Sequence, residues 1–196
     1  TADWTIARSI EDIDYDKIEE MGYPVFIKPN SGGSSVATFK VECREDVEDA
    51  VRAGLEVDDI VMIEAYLPGD EYTSFVLDGE VYPTIKISSP TGFFDFESKY
   101  STGANAAKEE VVYLEKDLQD QINKASKAVW DTFYCRAYVR ADFILSNGTF
   151  YVLELNTLPG MTAASLFPKS AKGQGYSYSE FLDLIIETSL KVNRAV

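Results

Sequence analysis

Two carboxylates, an arginine and an amide interrupt an otherwise apolar stretch in the last third of the chain. The stretch runs RADFILSNGTFYVLELNTLPGM, from Arg140 to Met161, and contains Asp142, Glu154 and Asn156. Carboxylate and amide oxygens are the hard ligands that Mg²⁺ and Mn²⁺ prefer, and a neighbouring guanidinium can bind an anion. A pair of acids alone is more often a solvated patch or an ion pair with an arginine. The amide of Asn156 and the TLPGM loop that follows it count against a solvated patch or a simple ion pair.

The same stretch predicts a β-hairpin around Asn147-Gly148. A two-residue turn would place Asp142 opposite Leu153 and Glu154 on the other face, so both faces would mix acids with core residues. A three-residue loop, Ser146 to Gly148, changes the register by one residue. We therefore predict this loop, with the arginine, the amide and both acids on one face. The other face would be wholly apolar and would contain Val139, Ala141, Phe143, Leu145, Tyr151, Leu153 and Leu155.

A glycine- and serine-rich segment follows the first predicted strand. The strand YPVFIK ends at Lys28, and SGGSSV follows at residues 31–36. Glycines let the backbone approach a ligand, and successive N–H groups with the hydroxyls of Ser34 and Ser35 can form an anion-binding concavity. The segment matches neither the Walker A pattern nor the dinucleotide fingerprint. Taken alone, it fits an ordinary hairpin turn better than a phosphate site.

The composition excludes several classes of protein. The chain has 33 acidic and 18 basic side chains, a net charge of −15, which disfavours nucleic acid and acidic membrane surfaces as partners. No apolar run approaches the ~20 residues of a membrane helix and no signal pattern opens the chain, so we expect a cytoplasmic protein. The absence of histidine excludes imidazole-dependent hydrolases and most zinc enzymes. The spacing of Cys43 and Cys135 predicts two buried thiols and no disulfide.

Hydrophobic periodicity predicts an α+β fold. A strand, turn, strand and helix follow one another over residues 23–55, an apolar helix face covers residues 118–133, and a capping box at Ser177 and Glu180 precedes a closing helix. An Asp78-Gly79 turn predicts a further hairpin, which joins residues 71–77 to 80–87. A break at Pro68-Gly69 divides the chain into residues 1–68 and 69–196, and residues 88–110 are predicted to form a long functional loop.

Four segments together resemble the D-alanine–D-alanine ligase family of ATP-grasp enzymes. They are, in order, PVFIKPNSGGSSVA, VMIEAYLPGDEYT, FFDFESKY and RADFILSNGTFYVLELNTLPGMTAASLFPKSA. The similarity spans almost the whole chain, and the last segment is the most specific. It implies an ATP-grasp fold, in which two α+β subdomains sandwich ATP. Residues 1–68 would be the central subdomain, and residues 69–196 the C-terminal subdomain with the metal site.

The resemblance implies a role for each matched position in binding ATP and metal. Lys28 and Lys99 would contact the phosphates of ATP. The segment from Glu64 to Leu67 would hold adenine, and Glu71 would contact the ribose. The implied ATP-binding residues are Lys28, Ser35, Glu64, Tyr66, Leu67, Glu71 and Lys99. The implied ligands of Mg²⁺ or Mn²⁺ are Asp142, Glu154 and Asn156.

The resemblance also implies a reaction. ATP phosphorylates the carboxylate of one D-alanine, and the amine of a second D-alanine attacks the acyl phosphate to give D-alanyl-D-alanine for peptidoglycan precursors. Arg140 and the Gly160 amide would stabilise the oxyanion, while Ser165 and Leu166 would bind the second D-alanine. The implied catalytic residues are Ser34, Tyr100, Arg140, Gly160 and Ser165, of which Ser34 and Tyr100 would belong to a loop-closing network.

The resemblance leaves several questions open. Family members have an N-terminal domain before the point that matches Thr1, so we expect a piece of a longer ligase that folds but turns over weakly or not at all. The implied full-length protein would be a homodimer. Two alternatives remain, another carboxylate–amine ligase with an acceptor such as D-serine, and an ATP-binding module without turnover. Tyr100 and the absence of histidine favour the dipeptide over D-alanyl-D-lactate.

Overall fold

The computed structural model describes residues 1–33, 36–88 and 107–192, which divide into two compact units. The first unit comprises Thr1–Leu67, and the second comprises the described residues from Pro68 onward. Each unit combines antiparallel strands with helices, which confirms the predicted α+β class. Along the described ranges, no helix is both long and apolar enough to cross a membrane. The assignment of ATP-grasp roles to residues 1–68 and 69–196 stays a prediction.

As far as it is described, the first unit is a four-stranded antiparallel sheet in the order β1-β4-β2-β3, with two α-helices. Its elements are β1 (Trp4–Ala7), α1 (Tyr15–Met21), β2 (Val25–Pro29), β3 (Phe39–Val41), α2 (Val47–Leu55) and β4 (Val61–Ala65). Because side chains alternate along a strand, β2 buries Val25 and Ile27 and presents Phe26 and Lys28 on the opposite face. The buried face packs in one core with the helices, including Ile18 of α1. That core fixes the face that carries Lys28.

In its described residues, the second unit contains six strands and three α-helices. The strands are β5 (Asp70–Leu77), β6 (Glu80–Val81), β7 (Ile85–Ser88), β8 (Lys108–Val111), β9 (Tyr138–Ser146) and β10 (Thr149–Asn156). The helices are α3 (Lys116–Thr132), α4 (Leu166–Gly173) and α5 (Tyr178–Lys191). The strand order is β10-β9-β5-β7-β8, and the short β6 pairs with β5. Strand β9 is therefore flanked by both β5 and β10.

Helices cover parts of both faces of this sheet. On one face, Ile122 and Val129 of α3 pack with the buried side chains Tyr72, Ala141 and Phe143. On the other face, Phe75 of β5 stacks on Phe167 of α4, with ring centroids 4.4 Å apart. Phe167 in turn meets Phe181 of α5 at 4.8 Å. Aromatic burial of this kind anchors both helices beside the polar end of the sheet.

The capping box predicted for the last helix is confirmed. Ser177 Oγ accepts from the Glu180 backbone N–H at 3.3 Å, and Glu180 Oε2 accepts from the Ser177 N–H at 2.8 Å. These bonds lower the pKa of Glu180. They satisfy two N–H groups that the start of a helix leaves unpaired.

The predicted absence of a disulfide also holds, although Cys43 and Cys135 are half-buried and not fully buried.

The β9–β10 hairpin has a different register from the predicted one. Its turn contains only Asn147 and Gly148, with φ of 49° and 77°, and Ser146 pairs with Thr149. The predicted three-residue loop is wrong, because two left-handed residues form the tight turn that matches the twist of antiparallel strands. The extra residue lies instead in a β-bulge at Leu153. A bulge changes the register by one residue, as the predicted loop would have done.

Beyond the bulge, the polar residues share one face, as the sequence predicted, but they pair two residues away from the predicted register. Glu154 pairs with Asp142, and Asn156 pairs with Arg140. The predicted apolar face is wrong at two positions, because the bulge lies further along β10 than the turn. Phe150 and Val152 pack in the α3 core in place of Tyr151 and Leu153. The bulged Leu153 is 38% exposed.

The predicted Asp78-Gly79 turn is confirmed, but its return strand is split. Both turn residues are left-handed, with φ of 51° and 80°, and Leu77 pairs with Glu80. Residues 82–84 separate β6 from β7, although the Tyr82 N–H still donates to the Phe75 carbonyl oxygen of β5 at 2.8 Å. Pro83 has no N–H to donate, and its carbonyl oxygen accepts from Ser170 Oγ of α4 at 2.6 Å. The split segment therefore holds α4 against the sheet.

Candidate functional site

Four side chains at the end of β9 and β10 form one hydrogen-bonded network, here called the polar cluster, of Arg140, Asp142, Glu154 and Asn156. Arg140 donates from Nε to Asp142 Oδ1 at 3.0 Å and from Nη2 to Oδ2 at 2.7 Å. Asn156 Nδ2 donates to Asp142 Oδ2 at 3.3 Å and to Glu154 Oε1 at 3.1 Å. Arg140 Nη2 also lies 3.7 Å from Glu154 Oε1. The bulge at Leu153 makes this meeting possible.

The polar cluster is electrostatically suited to a cation. The Asp142 side chain is 17% exposed and that of Glu154 is 61% exposed. Burial raises the pKa of the Asp142 carboxyl above its ordinary value, while Arg140 opposes that rise. Two carboxylates share a single arginine, so the ionised cluster keeps a net negative charge. A further positive charge would offset the desolvation of Asp142.

The donor atoms of the polar cluster also fit a divalent metal. The carboxylates of Asp142 and Glu154 are held together by one amide, and that amide carries an oxygen that can itself bind a cation. An oxygen-only set suits Mg²⁺ or Mn²⁺. Across residues 1–33, 36–88 and 107–192, no group of three or more His, Cys, Asp and Glu side chains could hold a metal ion. A cation here would therefore depend on Asn156 and on oxygens of its ligand.

The loop after β10 brings two further predicted residues into contact. Ser165 Oγ accepts from the Thr162 backbone N–H at 3.1 Å and lies 2.8 Å from Thr162 Oγ1. A Cβ on Gly160 would lie 3.0 Å from Ser165 Oγ, so glycine permits this close approach. The hydroxyl of Tyr178, the first residue of α5, donates to the Met161 carbonyl oxygen at 2.7 Å. The loop is thus held at both Met161 and Ser165, and Leu166 begins α4.

In the first unit, two predicted ATP-binding residues form an ion pair. Lys28 Nζ lies 2.6 Å from Glu64 Oε1, on the sheet face opposite the core. The Tyr66 ring packs against Phe26 at a centroid distance of 5.7 Å. Lys40 Nζ lies 4.9 Å from the centre of the same ring. The lysine can bind a phosphate, and the carboxylate can accept a hydrogen bond from the amino group of a base. The aromatic ring can pack against a planar ring.

A family model described as "D-ala D-ala ligase C-terminus" matches residues 2–187. The chain belongs to this family. A relative from Clostridium perfringens strain 13, D-alanine--D-alanine ligase B, is 51% identical over 191 residues. The match covers 97% of this chain and 63% of that relative. The chain therefore spans less than two thirds of that relative's length.

Solved structures of family members have the same fold. The D-alanine--D-alanine ligase from Bacillus anthracis is 41% identical, with a TM-score of 0.84, over 97% of this chain and 62% of that one. A structure from the same organism, described as complexed with ATP, is 38% identical, with a TM-score of 0.82, over 97% of this chain and 60% of that one. These likenesses confirm the predicted ATP-grasp fold.

The described residues bring only part of the predicted family site into view. Four predicted residues, Ser34, Ser35, Lys99 and Tyr100, lie outside the described residues. Leu67 is half-buried at the end of the first unit. Glu71 is half-buried on β5, where it pairs with Ile144. Their roles in a family member stay predictions.

Sequence reasoning missed two residues beside these groups. Lys40 lies over the Tyr66 ring, and nothing in its local sequence indicates that contact. Thr73 lies opposite Asp142 in the ladder between β5 and β9. Strand periodicity could have indicated it, because Thr73 follows Glu71 by two residues and so shares its sheet face.

Proposed function

We propose that this chain provides ATP-binding, metal-binding and acyl-transfer residues of a D-alanine–D-alanine ligase. The reaction would join two D-alanines to D-alanyl-D-alanine through an acyl phosphate, at the expense of ATP. The product would serve peptidoglycan precursor synthesis. The observation that carries the proposal is the polar cluster, in which two carboxylates and an amide meet beside an arginine in a chain of this family.

The polar cluster would hold the divalent cation that accompanies ATP. Asp142 and Glu154 would supply carboxylate oxygens, and Asn156 its amide oxygen. Bound Mg²⁺ or Mn²⁺ would offset negative charge on the phosphates of ATP. Lys28 would exchange part of its ion pair with Glu64 for a phosphate oxygen, and Tyr66 would pack beside the adenine.

Arg140 has the donors to stabilise an oxyanion while it still holds Asp142. Its Nε and Nη2 bond the carboxylate, and Nη1 makes no hydrogen bond within the part of the chain that the structure describes. A guanidinium offers five N–H donors, so Nη1 can serve a developing negative charge. The Gly160 backbone N–H would be the second donor. Ser165 and Leu166 would bind the acceptor D-alanine.

Titration of ATP into the 196-residue chain, with and without Mg²⁺, tests the metal-binding part of the proposal. Asp142→Asn and Glu154→Gln are each expected to weaken Mg²⁺-dependent ATP binding by at least about ten-fold, because each removes an anionic ligand. Glu187→Gln is the matched control, since it removes an exposed carboxylate of α5 that lies outside the polar cluster. Equal Mg²⁺-dependent binding in all four proteins would contradict the proposed site.

Phosphate release tests the reaction and separates the alternatives. The chain is incubated with ATP, Mg²⁺ and either D-alanine alone or D-alanine with D-serine, and the products are separated by mass spectrometry. D-alanyl-D-alanine as the main product supports the proposal, whereas a mixed D-alanyl-D-serine product would assign the other acceptor. Mg²⁺-dependent ATP binding without any D-alanine-dependent phosphate release would identify a nucleotide-binding module.

A further inference from the structure

Lys40 lies on the same sheet face as two of the predicted ATP-binding residues. It pairs with Phe26 of β2, and Phe26 pairs on its other side with Glu64 of β4. Side chains that stand directly opposite one another in an antiparallel sheet share a face. Lys28 lies two residues beyond Phe26 on the same strand, so it points to this face, which is opposite the core. Lys40 therefore borders the surface on which the nucleotide is proposed to bind.

The Lys40 ammonium makes two contacts. Its Nζ lies 4.9 Å from the centre of the Tyr66 ring, within the roughly 6 Å over which a cation attracts an aromatic face. It also lies 2.7 Å from Glu42 Oε1. The Lys40 and Glu42 side chains are 43% and 64% exposed, and exposed ion pairs add little to stability. Stability alone therefore does not account for a cation placed over this ring.

The Tyr66 ring is oriented by its neighbours on this face. It follows the last residue of β4, and its backbone N–H donates to the Pro24 carbonyl oxygen at 3.3 Å. The Phe26 ring contacts it in a tilted arrangement, with centroids 5.7 Å apart. Within the ranges that the structure describes, the Tyr66 hydroxyl makes no hydrogen bond that would fix the ring from its far end. The contacts with Phe26 and Lys40 therefore set the plane of the ring.

We propose that Lys40 is a positioning residue for nucleotide binding, whose ammonium holds the Tyr66 ring in the plane that packs beside adenine. The inference rests on the proposed function, because it deepens the role given there to Tyr66. The attraction is electrostatic, between the cation and the negative face of the ring. It acts before the nucleotide arrives, so the ring loses less freedom when a planar base packs against it.

The test is a double-mutant cycle between Lys40 and Tyr66, measured by calorimetry as the affinity of the 196-residue chain for ATP with Mg²⁺. Lys40→Met keeps the length of the side chain, removes the charge and is expected to weaken binding about four-fold. Lys40→Arg keeps a cation that can lie over a ring and should stay within about two-fold of wild type. In a Tyr66→Leu background, Lys40→Met should change the affinity by less than about 1.5-fold, because the ring through which it acts is gone.

Lys17→Met is the matched control and should bind ATP like wild type. Lys17 also forms an exposed ion pair, with Glu20 at 3.2 Å, but it belongs to α1, which packs on the core face of the sheet. Both lysine variants change the net charge equally, so a loss in Lys40→Met alone is not a long-range charge effect. Adenosine is the second probe. It carries no phosphate, and Lys40→Met should weaken its binding about four-fold as well.

Each outcome decides between the two proposals. Wild-type affinity for ATP in Lys40→Met overturns the inference and leaves the proposed function intact. A loss that persists in the Tyr66→Leu background, or one seen with ATP but not with adenosine, also overturns it, because Lys40 would then act on the phosphates directly. If Tyr66→Leu binds ATP like wild type, or the wild type binds no nucleotide, the nucleotide-binding part of the proposed function fails, and the positioning role fails with it. Circular dichroism checks folding, and Lys40→Gln provides a second removal of the charge.

Discussion

The two hairpins of the second unit have the same turn and use an extra residue differently. Asp78-Gly79 and Asn147-Gly148 are both two-residue turns with left-handed backbone at each position. In both hairpins, the return strand carries one residue more than the strand it pairs with. The local chemistry of the two turns is therefore the same, and the difference arises further along each return strand.

In the first hairpin, the extra residue is accommodated in the segment between β6 and β7. Residues 82–84 stand opposite only two residues of β5, between the Val76–Val81 and Thr73–Ile85 pairs. The Tyr82 N–H still bonds β5, but the Thr84 carbonyl oxygen accepts from the Val112 N–H at 2.9 Å. The extra residue therefore contributes to tertiary packing.

In the second hairpin, the extra residue stays within a continuous strand. Leu153 bulges outward, and the ladder resumes at once with Glu154 opposite Asp142. The extra residue contributes nothing to the core, but it aligns Glu154 of β10 with Asp142 of β9. A one-residue excess can therefore contribute either to tertiary packing or to a polar site, depending on whether strand pairing is interrupted over several residues or resumes at once.

Gly69→Ala is expected to have the largest effect and to strain only the second hairpin. A Cβ at this position would lie 2.0 Å from the Leu145 carbonyl oxygen of β9, and a backbone atom cannot move aside easily. We expect a loss of about 3 kcal/mol in the free energy of unfolding, or roughly 6–12 °C in the midpoint of thermal unfolding. Circular dichroism measures that midpoint. Gly33→Ala, which meets nothing within 4 Å, is the control, and equal midpoints would refute the close approach.

Alanine at the two turn glycines tests whether the turns are equivalent. Gly79 and Gly148 have φ of 80° and 77°, and a Cβ would meet no atom closer than 3.9 Å at either position. Each substitution should cost about 1 kcal/mol, since the left-handed conformation alone is penalised. The midpoint of thermal unfolding should fall by about 2–4 °C in each case. A difference above about 1 kcal/mol between the two losses in free energy of unfolding would show that the turns are not equivalent.

Deletion of Leu153 should have the smallest effect, and it tests the register most sharply. Without the bulged residue, Val152 would still pair with Phe143 and Glu154 with Asp142, in a regular ladder. Mg²⁺-dependent ATP binding is therefore expected to stay within about three-fold of wild type, because no polar residue changes face. Calorimetry on the purified chain measures it.

Deletion of Leu155 is the matched control for that experiment. It also removes one leucine from β10, but Asn156 would then take the place opposite Ala141 and face α3. An amide on the apolar face would be lost to the polar cluster and would be buried without a partner. Mg²⁺-dependent binding should fall by at least about ten-fold. If both deletions weakened binding equally, the face assignment would be wrong.

Sequence pattern predicted the members of the polar cluster but not how the chain aligns them. The separation of polar from apolar residues requires a one-residue shift, and that requirement holds wherever the shift occurs. Asn147-Gly148 has a strong local preference for a two-residue turn, whereas a bulge has no local signature and Leu153 resembles a core residue. Local preferences therefore do not reveal that the shift belongs to the strand and not to the turn.

Contacts between distant segments could not be predicted from the sequence for a related reason. The capping box at Ser177 is encoded within four residues, so it could be predicted from local spacing alone. The pair of Lys28 and Glu64 depends on the register between β2 and β4, and the position of Thr73 depends on that between β5 and β9. Such registers are set by the packing of whole sheets, which no short pattern records.

Two basic side chains are paired with acidic ones, and this pairing limits which anions can bind to them. Lys28 is bonded to Glu64 and Arg140 to Asp142, on a protein whose net charge is −15. Inorganic phosphate or sulfate would have to displace a carboxylate and then remain in a negative field. A nucleotide that carries its own Mg²⁺ brings a cation for the displaced acids. Free phosphate or sulfate is therefore expected to compete only weakly with a magnesium-bound anion for either basic side chain.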